Sequence, residues 1–205
     1  MAVISDEIMD LSLDYKEYKL LLDGLMKDGK TTGENQDEWL VDYSRLNLQR
    51  MSRLDKTWKP SDKIEKRMLA METPLIWLTI TEGWCGDAAQ IVPILEKIAA
   101  INPLISHRLI LRDENPGLMD QFLTNGTRSI PKTVILEQST HRVLGSWGPR
   151  PAGAVDLLKD LKQQNALPKE EMYSQLHGWY AKDKGSHTAK EFVDSVEFAL
   201  VTAES

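Results

Sequence analysis

The sequence of 205 residues predicts an α/β protein: a small mixed β-sheet flanked by helices, with extra helices at both termini. Three observations carry that expectation. Residues 1–71 and 166–205 show apolar positions recurring at helical spacing, while the stretch between them changes pattern at Pro74. Within that stretch, short β-branched runs alternate with helical segments, an order that makes parallel strand pairs. The last two runs are separated only by a turn near residues 139–141, which adds an antiparallel hairpin.

The elements follow in order. Leu11, Tyr15, Tyr18, Leu22 and Leu25 alternate at spacings of four and three, drawing one apolar stripe on a helix that should end near Gly29 to Gly33. A second helix is expected over residues 37–55, with Leu40, Tyr43, Met51 and Leu54 on its buried side and Trp39 and Leu46 alongside. Its basic positions, from Arg50 to Lys59, are interleaved with Asp55 and read as a solvated face. Pro60 and Ser61 punctuate the chain before a short helix carrying Ile64, Met68 and Met71.

Residues 74–81, PLIWLTIT, form a continuous apolar run typical of a strand covered on both faces. After a turn, residues 89–99 mark a helix that is apolar over much of its circumference, with Pro93 as a kink. A strand is expected at 105–113, a short helix over 118–126, two strands in KTVILEQ and RVLGSW, and a helix from Pro151 to Gln164 with proline in its first turn. Two helices close the chain. The first carries Met172, Leu176, Trp179 and Tyr180 on one face and stops near Gly185, and Thr188 with Glu191 reads as a capping box opening the last.

Composition narrows the function classes. A net charge of -6 gives no general electrostatic reason to bind nucleic acid or an anionic membrane. No apolar run approaches the roughly 20 residues of a membrane span, and the start has neither a basic n-region nor an apolar h-region, so a cytoplasmic location is expected. The single cysteine cannot form an internal disulfide, the four histidines show no metal-ligand spacing, and neither a metal nor a cofactor is expected.

That cysteine sits in TEGWCGDAAQIVP, residues 81–93. Trp84, Cys85 and Gly86, with Pro93 eight residues after the cysteine, resemble the active-site turn and following helix of the thioredoxin family. DENPG at 113–117 is similar to the segment that closes the next strand in that family. SIPKTVIL resembles its Ile-Pro-Thr segment, with Pro131 in the place of the cis proline, and Gly145 and Gly148 fall where the family has a glycine-bearing loop. The resemblance covers residues 72–165 and implies three parts: an N-terminal helical extension, 1–71, a thioredoxin-like domain, 72–165, and a C-terminal helical extension, 166–205, packed on the core. WYAKDKG at 179–185 is similar to a bacterial subgroup with extra terminal helices.

Physically, a thiol at a helix start meets unpaired N–H groups and the positive end of the macrodipole, so Cys85 is expected to be partly activated and exposed. By the resemblance, an extended peptide would lie beside Ile130 and Pro131 and present a sulfur to Cys85, with Trp84 and Gly86 forming the substrate-binding rim. The departures are as informative. Where thioredoxins read Cys-Gly-Pro-Cys, this chain reads Cys85-Gly86-Asp87-Ala88, so the resolving thiol and dithiol chemistry are missing. Asp87 modulates the thiol by like-charge repulsion while suiting the helix N-terminus. Thr79 stands where thioredoxins carry a buried aspartate.

Two functions follow. The leading expectation is weak monothiol exchange or redox sensing, in which Cys85 attacks a protein or low-molecular-weight disulfide and an external thiol such as glutathione resolves the adduct. The alternative is a redox-inactive protein-binding module, with Cys85 a small buried hydrophobe. A glutaredoxin-like iron–sulfur role is distant, because the residues after Cys85 do not match that turn.

Overall fold

The computed structural model describes residues 2–163 and 167–203. The expected architecture is present: a four-stranded mixed sheet with helices on its faces and further helices before and after it. In chain order the elements are α1 (Asp6–Leu11), α2 (Tyr15–Lys27), α3 (Glu38–Thr57), α4 (Asp62–Leu69), β1 (Leu75–Thr81), α5 (Gly86–Ala99), β2 (Ile105–Leu111), α6 (Pro116–Met119), β3 (Lys132–Glu137), β4 (Val143–Trp147), α7 (Ala152–Gln163), α8 (Lys169–Asp183) and α9 (Ser186–Ala203).

The strand order is β2-β1-β3-β4. β1 pairs parallel with β2, from Leu75 with Ile105 to Thr81 with Leu111. On its other side β1 runs antiparallel to β3, and β3 to β4, with an irregularity at Ile135 and Leu136. Every residue of β1 is buried, as its unbroken apolar run predicts. Alternation divides its side chains between two cores. Leu75 and Trp77 join α4, α5 and α9, where Phe192 meets the edge of Trp77 at 4.6 Å between centroids. Ile76, Leu78 and Ile80 pack with Tyr18 and Leu22 of α2, Val92 of α5 and Leu118 after β2.

Four local expectations differ from the structure. The stripe from Leu11 to Leu25 is broken: Leu11 is exposed, Leu13 bridges to Leu109 at the edge of β2, and Asp14 opens α2 in a capping box with Glu17. The pairing of Leu13 with the sheet edge overrides helical continuation. The helix expected over 118–126 ends at Met119, ahead of a turn whose Asn125 and Gly126 take left-handed φ of 50° and 73°. Thr188 is not a cap, because α9 begins at Ser186 and buries it. Glu191 instead accepts the Ala152 N–H at 2.9 Å, capping α7 from a different part of the chain. Gly145 lies within β4 rather than after it, where a Cβ would stand 3.0 Å from that of Ala199, so its lack of a side chain lets α9 approach. The expected end of α7 at Gln164 lies outside the described residues.

No helix among the described residues is long and apolar enough to cross a membrane.

Candidate functional site

β1 ends in the turn that carries Glu82, Gly83 and Trp84, and Cys85 stands at the N-cap of α5. The Ala88 N–H donates to Sγ at 3.4 Å, the contact expected of a capping residue, and the thiol donates to the Ile130 carbonyl at 3.4 Å. The Ile130–Pro131 peptide is cis. Cys85, Ile130 and Pro131 are therefore neighbours although 45 positions separate the sulfur from its acceptor.

The thiol is neither exposed nor activated. Cys85 is only 7% accessible, and its pKa is pushed up to about 12, first by burial and then by the charge of Asp87. The N–H groups of Ala88 and Asp87 and the Arg150 guanidinium act the other way and are outweighed. The balance is physically reasonable. A helix terminus contributes roughly 0.3–1 kcal/mol, under about one pKa unit, whereas burial shifts a group by up to about 3–5 units. The sequence-based expectation of partial activation fails because it included the helix terminus without the cover above it.

Both helical extensions pack on the residues around the cysteine. From the N-terminal side, Asn47 of α3 donates to the Gly83 carbonyl at 3.0 Å, and the Gly83 N–H donates to Thr32 Oγ1 at 2.9 Å. Tyr43 of α3 meets His177 of α8, with Oη 2.7 Å from Nε2. The other ring nitrogen, Nδ1, lies 3.3 Å from Gln90 Nε2 on α5. That amide can only donate, which places the lone pair on Nδ1 and the proton on Nε2. Burial, with help from Arg50, lowers the His177 pKa to about 4, so the ring is neutral at pH 7. Gly86 lies directly beneath this pair: a Cβ there would come within 2.3 Å of Tyr43 Oη and 3.1 Å of the imidazole.

Asp87 faces inward. Its Oδ2 is 2.5 Å from Arg150 and its Oδ1 accepts from Tyr180 Oη at 2.7 Å. Tyr180 is raised well above its ordinary pKa, first by burial and then by Asp87, and remains a phenol and a donor. Asp87 thus ties α5 both to the segment after β4 and to α8. Trp84 is half-buried, with the Arg112 guanidinium stacked 4.6 Å from its ring centroid. Thr79 is buried and shares its hydroxyl with His107 Nε2 and Thr133, at 3.0 and 2.9 Å.

Sequence reasoning brought Trp84, Cys85, Gly86, Asp87, Ile130 and Pro131 to one place, and the structure does the same. It missed Tyr43, Gln90, Arg150 and Tyr180, and also His177, which is hydrogen-bonded above Gly86. It also missed Glu82, a buried carboxyl raised in pKa chiefly by burial, whose Oε1 accepts from the Asp113 N–H at 2.8 Å. The one available signal was the approximate helical spacing of His177 and Tyr180 on α8.

The model of the family described as thioredoxin matches residues 33–162, more than half of the sequence. The chain belongs to the thioredoxin family. Its fold also resembles two solved structures. One is a protein of unknown function from Pseudomonas aeruginosa, 18% identical, with a TM-score of 0.62 over 97% of this chain and 99% of that one. The other is an HIV epitope-scaffold, 17% identical, with a TM-score of 0.58 over 93% and 96%. At these identities the likeness concerns fold alone, and it extends over the terminal helices as well as the sheet. No curated protein matches. Within the family, this member has one cysteine in place of a dithiol pair, so a Cys-x-x-Cys active site cannot form within the chain.

Proposed function

We propose that this thioredoxin-family protein works as a protein-binding module whose single thiol is silent at neutral pH. The observation that carries the reading is the burial of Cys85: the sulfur is 7% accessible, its proton is held toward the Ile130 carbonyl, and Tyr43 and His177 sit over the adjoining Gly86. With its pKa pushed up to about 12, the thiol stays protonated at pH 7, and the thiolate is the form that attacks disulfides. What remains for function is the surface built by the sheet and its helical extensions.

Weak monothiol exchange is the second reading, supported by the 3.4 Å approach of Cys85 to the carbonyl of the residue preceding Pro131. It requires the buried sulfur to become accessible first. Cys85 thiolate would then attack one sulfur of a disulfide, expelling the other as thiolate, and an external thiol such as glutathione would displace the protein.

Intact mass after exposure of native protein to oxidised glutathione separates the two. The binding reading expects no adduct at neutral pH without denaturant. A rapid, reversible one-to-one adduct sinks it and favours exchange.

A further inference from the structure

α3 carries two parallel stripes. Leu40, Ser44, Asn47, Met51, Leu54 and Trp58 repeat at spacings of four and three, and all are buried. One residue earlier at each step, Trp39, Tyr43, Leu46, Arg50, Arg53 and Thr57 repeat at the same spacing and follow an adjacent face. This second seam is open at both ends: Trp39 is 63% and Leu46 42% exposed, Arg53 and Thr57 are exposed, and only Tyr43 and Arg50 are half-buried beside α8. Apolar and aromatic side chains fill its first half, cations its second.

Among the described residues, these cations have no counter-ions. Asp55, which interrupts the basic run in the sequence, is turned to the opposite side, where it accepts from Tyr15 Oη at 2.7 Å and pairs with Lys19 at 3.1 Å. Arg50 donates to Asn47 Oδ1 and lies over the Tyr43 ring, both neutral groups. Among the described residues, none of Arg50, Arg53 and the neighbouring Lys56 has a carboxylate within ion-pair distance. In a chain of net charge -6, three uncompensated cations along one and a half turns of helix, next to an exposed tryptophan and leucine, are a local inversion of the surface.

We propose that this seam of α3 receives an amphipathic, acidic helix of a partner protein, whose apolar residues cover Trp39 and Leu46 and whose carboxylates meet Arg50, Arg53 and Lys56. Helical spacing on one side asks for helical spacing on the other, and four-and-three repeats are what interlocking helices use. Charge selects the partner over a second copy of this chain. In an antiparallel pair of such seams Asp42 of one copy would approach the cations of the other, but Asp42 is already paired with Arg45 of its own helix, so a second copy neutralises them less fully than an acidic partner does. An aromatic anchor and an arginine at the centre of the contact are the residue types that dominate interface energetics.

The inference rests on the binding reading, yet its test is independent of the thiol. A fluorescein-labelled peptide of three heptads, with leucine at the two apolar positions, glutamate at the positions flanking them and alanine or glutamine elsewhere, shown to be helical by circular dichroism, is titrated with the full chain and followed by anisotropy. Saturable binding is expected, weakened at least tenfold by Trp39→Ala and by Arg53→Glu, and weakened again when salt rises from about 50 to about 300 mM. Both side chains are exposed, and circular dichroism of each variant checks that the fold is retained. Absence of binding to the wild type overturns the proposal, as does equal competition by polyglutamate, or a dimer in solution that Trp39→Ala dissociates. None of these outcomes alters the glutathione result, which tests the binding reading by itself.

Discussion

Gly86 shows how a single residue records the closure of the site. Any side chain there would drive a Cβ to 2.3 Å from Tyr43 Oη, so the residue keeps α3 and α8 seated on the start of α5. Gly86→Ala should destabilise the fold by about 1–3 kcal/mol, as overpacking does. The cost should shrink in the background of Tyr43→Ala, which denaturant unfolding of the double-mutant cycle would measure. Asp87 makes a second case. Replacing Arg150 with leucine removes its ion-pair partner and leaves a buried carboxylate held only by Tyr180. A loss of about 3–5 kcal/mol is expected, against about 1 kcal/mol for Tyr180→Phe, which removes one hydrogen bond. Equal losses in the two variants would show that Asp87 is not held chiefly by charge. The turn itself could be read from sequence because its residues are contiguous and Pro131 follows in a recognisable segment. Its cover could not, since Tyr43 and His177 are 134 positions apart and neither carries a local mark of the other.

Helix α8 is where pH enters. His177 has a pKa lowered from 6.5 to about 4, so the unfolded chain binds a proton that the folded chain refuses between those values. Stability from this group is therefore complete above about pH 6.5 and is lost as pH falls toward 4. The loss should amount to about 1–3 kcal/mol after allowance for partial exposure. Denaturant midpoints at pH 7 and pH 4.5 should converge for wild type and His177→Gln at the lower value, and a constant gap between them would exclude this titration. The same helix shows what periodicity can and cannot do. Leu176 and Tyr180 were legible as buried positions, whereas the histidine between them points to Gly86 only because α3 and α5 are there to meet it. For α1 and α2, one stripe was drawn through what are two helices, because the pairing of Leu13 with β2 is a long-range event invisible to local spacing. The strand β1 had no such competitor, and its apolar run was sufficient.

At the scale of the molecule, the chain keeps the thioredoxin-family sheet, the cysteine at a helix start and the proline opposite it, and encloses them between helices from both ends. Asn47, Tyr43, His177 and Tyr180 each bond to the cysteine turn, to α5 or to one another, so both extensions are part of the site's structure. The most direct test is the alkylation rate of Cys85 by iodoacetamide, measured from about pH 6 to 10 in native buffer and again across the unfolding transition. Burial of Cys85 predicts native alkylation far slower than that of a free cysteine at neutral pH, climbing with pH without a plateau up to about pH 10 and reaching the free rate only as the protein unfolds. A native rate close to that of free cysteine, with an apparent pKa at or below the ordinary thiol value, would contradict it.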